Sequence, residues 1–192
     1  MGGTVSKLTS LGHRVVMIVF ANTDIANIRE RSQEAILSAD YLDAEIELIK
    51  INSKELQLNR FLVGKLDKYI AKYSPDTVFS HWINDSHQDH QLISNATISS
   101  LRKNKCSLYM YEETIPGGIT PHSFKAQLYI DIEGHIQNKI ESLKLHKSQI
   151  KSHNEENIWI YGIKGRAQYR GYQINSKYAE AFQVVKAINS FD

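Results

Sequence analysis

The segment Asp85-Ser86-His87-Gln88-Asp89-His90-Gln91 is the most informative part of this chain, because it joins a predicted strand to a predicted helix. An apolar run over residues 77–80 precedes it, and a helix-like stretch over residues 92–102 follows it. In open α/β sheets, binding sites form at such junctions, beyond the carboxyl ends of the strands. We therefore expect a functional site at this segment.

Two histidines and a carboxylate give the segment its chemical interest. His87 and His90 are three residues apart, which predicts that both project from the same side of the first helical turn. The positive end of a helix disfavours imidazolium, so both rings tend to stay neutral, as metal ligation requires. The alternative for the two histidines is a solvated or capping cluster. Separately, Ser86-x-x-Asp89 fits a capping box at the helix start, which is compatible with a chemical role for Asp89. The spacing alone leaves both interpretations open.

The hydrophobic pattern predicts strands and helices that alternate along the chain. The predicted strands cover residues 14–20, 45–51, 77–80, 108–111, 127–132 and 181–188. The predicted helices cover residues 4–11, 27–42, 56–72, 92–102, 135–151 and 157–172. The loop over residues 112–125 holds two of the three prolines, and we expect it to form a lid over a substrate. The alternation predicts an α/β fold with a largely parallel sheet, in a single domain of 192 residues.

Composition excludes several classes of protein. The net charge of +2, from 23 basic and 21 acidic residues, predicts no nucleic-acid partner. Cys106 is the only cysteine, so no disulfide forms within the chain, and a lone thiol suits a reducing compartment. No apolar run approaches the roughly 18 residues that span a bilayer, so we expect no transmembrane segment and a cytoplasmic location. The sequence leaves assembly into a homo-oligomer open.

Five segments, in order along the chain, resemble the PIG-L (LmbE-like) zinc-dependent N-deacetylases, which remove acetyl groups from amino sugars. The box His87-Gln-Asp-His90 resembles the His-x-Asp-His motif of that family. The other four segments are Met1–Val15, Arg31-x-x-Glu34, Lys139 to Gln149 and Tyr178-Ala-Glu-Ala-Phe182. The resemblance runs nearly end to end, and it implies a Rossmann-like three-layer sandwich with a mostly parallel sheet.

The same resemblance implies roles for individual residues. His90 would be a zinc ligand, and His87 would act as the general acid that stabilises the tetrahedral intermediate. Asp89 would hold the His87 ring in the right tautomer. Arg31 resembles a substrate-binding arginine, although a solvated residue on an amphipathic helix is an equally good interpretation.

Three further residues are candidates because of their position. His81, Trp82 and Asp85 lie at the mouth of the predicted strand, where we expect them to line a sugar pocket. Trp82 would stack on the face of a sugar ring. His146 lies on one side of a predicted helix with Lys139, and we interpret it as structural support.

The chain departs from the family pattern at its start. The family's His-Pro-Asp-Asp motif, which supplies two zinc ligands and the general base, occurs nowhere in the 192 residues. Of the three expected zinc ligands, only His90 is present. The resemblance therefore implies an N-terminally truncated domain whose first central strand is absent, and low or no activity in this polypeptide.

The leading hypothesis is a zinc-dependent hydrolase that removes an N-acetyl group from an amino sugar, such as N-acetylglucosamine, or from a sugar conjugate. The second is a non-catalytic relative or fragment of the same family that binds a sugar or a partner. An in-frame His-Pro-Asp-Asp upstream of Met1 would favour the first hypothesis over the second. A Rossmann-type nucleotide binder is a third, opposed by the absence of Gly-x-Gly-x-x-Gly after a strand.

Overall fold

The computed structural model describes residues 1–24, 26–52, 54–113, 115, 118–152 and 156–188. The chain divides into two compact units. Unit 1 comprises Met1–Ser53 and Tyr129–Glu180, and unit 2 comprises Lys54–Leu128 and Ala181–Asp192. The organisation as a single domain stays a prediction.

Helices and strands alternate along most of the chain, which confirms the predicted α/β class. The strands are β1 (Val16–Asn22), β2 (Glu45–Ile51), β3 (Thr77–His81), β4 (Ser107–Tyr111), β5 (Leu128–Asp131) and β6 (Ala179–Lys186). The helices are α1 (Gly2–Ser10), α2 (Ile28–Tyr41), α3 (Arg60–Tyr73), α4 (Gln88–Ser100), α5 (Ile136–Lys144), α6 (Lys147–Ser152) and α7 (Glu156–Tyr172). Within the described ranges, no helix is both long and apolar enough to cross a membrane.

In unit 1, β1 and β2 form a parallel pair that runs in register from Val16 opposite Glu45 to Asn22 opposite Ile51. Helix α1 leads into this pair through Gly12, whose φ of +81° reverses the chain at the helix end. Glycine adopts this left-handed conformation without strain, which makes it the usual residue after a helix C-terminus. Gly12 therefore follows the end of the helix predicted over residues 4–11, whereas β1 begins two residues later than predicted.

The single helix predicted over residues 135–151 is wrong, because the structure divides it into α5 and α6. The buried carboxylate of Glu34 accepts hydrogen bonds from the backbone N–H of Ser148, at 2.7 Å, and from its hydroxyl, at 2.6 Å. Ser148 lies in the first turn of α6, where backbone N–H groups lack partners within the helix. A carboxylate from α2 thus satisfies this turn and supports a new helix start.

In unit 2, β3 pairs with β4 in parallel, and β4 pairs with β6 in antiparallel orientation. Helix α3 contacts α4 through the Ser100 hydroxyl, which donates to the Val63 carbonyl at 3.2 Å. A buried apolar cluster lies at the end of α4 and the start of β4; its members are Leu101, Cys106 and Leu108, with Ile70, Val78 and Ile98 packed against them. Cys106 is 2% exposed within this cluster. The absence of a first central strand stays a prediction.

Candidate active site

The histidine box lies where β3 ends and α4 begins, within unit 2. Strand β4 ends beside β3, with Tyr111 opposite His81 in the parallel register. The ring centroids of His81 and Tyr111 are 5.0 Å apart. The carboxyl ends of two neighbouring parallel strands therefore present aromatic rings at the edge where α/β sheets place their sites.

Asp85 is the buried centre of the box, with a side chain that is 3% exposed. Its Oδ2 lies 2.9 Å from Nδ1 of His90, and its Oδ1 accepts a hydrogen bond of 2.8 Å from the backbone N–H of His87. Burial alone raises the pKa of Asp85, but the hydrogen bonds from His90 and His87 outweigh it and lower the pKa. The ionised carboxylate can only accept, so Nδ1 of His90 carries a proton, and in the neutral form of the ring Nε2 carries the lone pair.

His87 caps the N-terminus of α4, and its ring has the opposite tautomer. The backbone N–H of Asp89 donates to Nδ1 of His87 at 3.2 Å. Because a backbone N–H can only donate, Nδ1 of His87 must carry the lone pair, and the proton of the neutral ring sits on Nε2. The box therefore presents one imidazole donor, on His87, and one imidazole acceptor, on His90.

Three imidazole rings stack in this site. The centroids of His81 and His90 are 4.0 Å apart, with an angle of 24° between the ring planes. The centroids of His87 and His90 are 4.7 Å apart, at 21°. Burial, together with the neighbouring His90, lowers the pKa of His81 to about 3. Its Nδ1 is inaccessible to solvent and has no hydrogen-bond partner within the described residues, so the ring of this half-buried residue is neutral at ordinary pH.

The capping box predicted for Ser86 and Asp89 is wrong. The cap is His87, and both the hydroxyl and the backbone N–H of Ser86 contact the carboxylate of Glu113. Asp89 contacts His87 through its backbone N–H. The role of the Asp89 carboxylate in orienting His87 stays a prediction.

Trp82 is 2% exposed, and its indole N–H donates to Oε1 of Gln183 at 2.9 Å. Phe124 lies against it, with centroids 5.6 Å apart and ring planes at 79°. Phe124 belongs to the predicted lid over residues 112–125, of which Thr114, Pro116 and Gly117 lie outside the described residues. In this conformation the indole faces are covered, and stacking on a sugar stays a prediction, as does the lid.

Arg31 and His146 belong to unit 1. With the Gln149 amide oriented to accept, its oxygen lies 2.8 Å from Nε and 2.9 Å from Nη2 of Arg31. Burial lowers the pKa of His146, which is consistent with the structural role predicted for it. Substrate binding by Arg31 stays a prediction.

The described residues contain no group of three or more His, Cys, Asp or Glu side chains that could hold a metal ion. A carboxylate on Nδ1 of His90 is the contact that typically orients a metal-binding histidine through Nε2. However, ring-nitrogen lone pairs lie in the ring planes, and the planes of stacked rings do not converge on one atom. His90 therefore fits the role of one zinc ligand, whereas the stacked histidines do not form a complete zinc site.

Two residues of the site, Tyr111 and Glu113, were not found by sequence reasoning. Burial raises the pKa of Tyr111, so its phenol stays protonated at neutral pH. Glu113 tethers the loop before α4 through Ser86. The signal that could have found them is strand order, because the strand next to β3 in the sheet must bring its carboxyl end to the same edge.

A sequence model of the PIG-L family, described as GlcNAc-PI de-N-acetylase, matches residues 1–101. The chain belongs to the PIG-L family, as the resemblance implied.

Solved structures support the same fold. N,N'-diacetylchitobiose deacetylase from Pyrococcus horikoshii has a TM-score of 0.76 and 22% identity, over 96% of this chain and 78% of that chain. The zinc-inhibited form of teicoplanin deacetylase has a TM-score of 0.79 and 14% identity, over 99% of this chain and 94% of that chain. The 4-carboxy-2-hydroxymuconate hydratase from Pseudomonas putida has a TM-score of 0.75 and 18% identity, over 100% of this chain and 92% of that chain. At such low identity these likenesses establish an LmbE-like α/β fold and leave the reaction open.

Proposed function

We propose that the protein is a hydrolase that removes an N-acetyl group from an amino sugar or a sugar conjugate by cleaving a linear amide. Membership of the PIG-L family supports this proposal. The observation that carries it is the pair of opposite tautomers, a donor on His87 and an acceptor on His90, with ring centroids 4.7 Å apart.

Amide hydrolysis requires a nucleophilic water and a donor for the carbonyl oxygen that becomes negative. The Nε2–H of His87 is such a donor, because its Nδ1 is occupied by the Asp89 backbone. His87 is exposed at the start of α4, where a substrate carbonyl could reach it. A general-acid role toward the departing amine would require His87 to be protonated on both nitrogens, and it stays a prediction.

Zinc is the proposed cofactor, and when bound it would make a water nucleophilic at neutral pH. His90 would hold it through Nε2, the nitrogen that Asp85 leaves unprotonated. Because the described residues contain no three-ligand group, we propose that the 192-residue polypeptide binds zinc weakly and turns over slowly.

We propose a small N-acetylated sugar as the substrate, with N-acetylglucosamine as the first choice. The proposed location of the protein is the cytoplasm. Trp82 is the proposed contact to the sugar in unit 2, and substrate binding by Arg31, in unit 1, is proposed separately. Trp82 would need Phe124 to move away before a ring face opens.

The test is acetate release from N-acetylglucosamine and N,N'-diacetylchitobiose over a zinc titration. We expect slow release that rises only at high zinc, is lost in His90→Ala, and falls strongly in His87→Ala. The control is His13→Ala, an exposed histidine outside the site, which should match the unmodified protein. Full activity in His90→Ala, or after treatment with a chelator, would overturn the zinc assignment.

The second candidate is a non-catalytic relative that binds a sugar or a partner. It is favoured by the lack of a three-ligand group in the described ranges. Absence of acetate release at every zinc concentration, combined with retained binding of N,N'-diacetylchitobiose, would favour this candidate over the hydrolase.

A further inference from the structure

We infer that Asp85 is a positioning residue that sets the tautomer of His90 and the place of His87. The inference rests on the proposed function, in which these two histidines carry the chemistry. It changes the role expected for Asp85 in the sequence analysis, from contact with the substrate to organisation of the histidine box.

Both oxygens of the Asp85 carboxylate are engaged within the box. Oδ2 is 2.9 Å from Nδ1 of His90, and Oδ1 is 2.8 Å from the backbone nitrogen of His87. The first contact orients a ring, and the second holds the residue that begins α4. One carboxylate thereby fixes two residues whose rings stack on each other.

The backbone of Asp85 is anchored as well. Its N–H donates to the Trp82 carbonyl at 3.1 Å, and its carbonyl accepts from Nε2 of Gln91 at 2.5 Å. Because the main chain is held on both sides and the side chain is 3% exposed, the carboxylate has little freedom to turn away. Pre-organisation of this kind is what a supporting residue contributes to a site.

The tautomer of a histidine is set by the hydrogen bond that its other nitrogen makes. A carboxylate next to Nδ1 keeps the proton there and leaves the Nε2 lone pair as an acceptor. An amide NH2 at the same position would do the opposite, since it donates to Nδ1 and requires the proton to move to Nε2. Asp85→Asn is therefore a nearly isosteric change that should reverse the His90 ring chemistry.

The experiment measures the tautomer of His90 directly, by 15N NMR of chelator-treated protein at about pH 8.5, where imidazoles are neutral. We expect Nδ1 protonated in the unmodified protein and Nε2 protonated in Asp85→Asn. The side-chain amide oxygen of this variant can still accept from the His87 backbone, so α4 should keep its start.

The matched control is Asp131→Asn. The Oδ1 of Asp131 accepts a hydrogen bond of 2.9 Å from the backbone N–H of Glu133, two residues on, as Asp85 does with His87. This control removes one negative charge from a similar turn that lies outside the histidine box. We expect its His90 spectrum to match that of the unmodified protein.

A kinetic measurement separates the positioning role from the proposed function. If acetate release is detected, Asp85→Asn should lower kcat by roughly ten- to a hundredfold, with KM little changed. If no release is detected, the proposed function fails while the NMR result still decides the role of Asp85.

Three outcomes would overturn the inference: a proton on Nε2 of His90 in the unmodified protein, an unchanged tautomer in Asp85→Asn, or a kinetic loss confined to KM. If Asp85→Asn does not fold, as judged by circular dichroism, the spectrum of the unmodified protein decides alone.

Discussion

Glu34 accepts hydrogen bonds from both the backbone N–H and the hydroxyl of Ser148, although the two residues lie 114 positions apart in the sequence. Glu34 is 6% exposed and Ser148 is 7% exposed, so water does not readily replace this contact. The carboxylate connects α2 to the first turn of α6 within unit 1.

Glu34→Ala should destabilise the protein more than Ser148→Ala does. Removing the carboxylate leaves a buried N–H and a buried hydroxyl without a partner, at a cost of roughly 1–3 kcal/mol for each group, whereas Ser148→Ala breaks one charge-assisted bond of roughly 1.5–3 kcal/mol and keeps the backbone bond. Urea denaturation measures both free energies of unfolding. Glu30→Ala, an exposed position on the same helix, is the control and should change little. Equal effects of Glu30→Ala and Glu34→Ala would contradict this account.

Glu180 makes unit 1 sensitive to acid. Burial alone raises the pKa of Glu180. However, the Lys139 ammonium, which contacts the carboxylate directly, and the backbone N–H of Thr4 outweigh burial and lower the pKa below its ordinary 4.5. A lowered folded-state pKa stabilises the protein above pH 4.5, and this contribution is lost as the pH falls below 4.5.

Glu180→Gln should therefore lower the Tm at pH 7 and have a progressively smaller effect as the pH falls from 4.5. Breaking a buried ion pair costs roughly 3–5 kcal/mol, which a thermal melt detects easily. Glu141→Gln is the control, because Glu141 and its partner Lys144 are 36% and 40% exposed. If the difference in Tm between Glu180→Gln and the unmodified protein stays constant from pH 7 to about pH 2, the lowered pKa assigned to Glu180 is contradicted.

The sequence was sufficient for features that are set locally. Gly12 marks the end of α1 because a left-handed residue is needed there, and the box begins a helix because an apolar strand and a helical pattern flank it. The start of α3 was predicted too early, at residue 56, because the cap at Asn59, which accepts from the Leu62 N–H at 2.9 Å, was not recognised.

The sequence was insufficient where a distant partner decides the outcome. The break between α5 and α6 accompanies the contact of Glu34, and the burial of Trp82 depends on Gln183, 101 residues away. Tyr111 joins the site only through the register between β3 and β4. The hydrophobic pattern of a single segment carries no information about such long-range contacts.

Because of His81, the free energy of unfolding of the metal-free protein should fall as the pH decreases from 6.5 to 4.5. Its pKa falls from 6.5 to about 3 on folding, so the folded protein holds the ring neutral while the unfolded chain takes up a proton. The stability from the neutral ring is complete above pH 6.5 and declines as the pH falls toward 3, by roughly 1–2 kcal/mol at pH 5.

His81→Phe keeps an aromatic ring against His90 and removes the titrating group. Chemical denaturation of chelator-treated protein from pH 7.5 to about 5 should show a flatter pH dependence for this variant. His122→Phe, at an exposed histidine, is the matched control and should keep the original slope. Parallel profiles for His81→Phe and the unmodified protein would show that His81 takes up its proton equally well in both states.

Trp82 offers a direct test of whether a sugar reaches the site. The chain has two tryptophans, so Trp159→Phe leaves Trp82 as the single tryptophan, whose emission selective excitation separates from that of the tyrosines. Because Trp82 is 2% exposed and covered by Phe124, its emission should be blue-shifted and weakly quenched by acrylamide. Phe124→Ala in this background should increase quenching, since it uncovers the indole.

If Trp82 stacks on a sugar, saturating N,N'-diacetylchitobiose must displace Phe124 and change the emission. The Trp82→Phe protein, which reports Trp159, should not respond. An unchanged Trp82 spectrum under conditions where the sugar is bound would exclude the stacking role and leave Trp82 as a core residue held by Gln183.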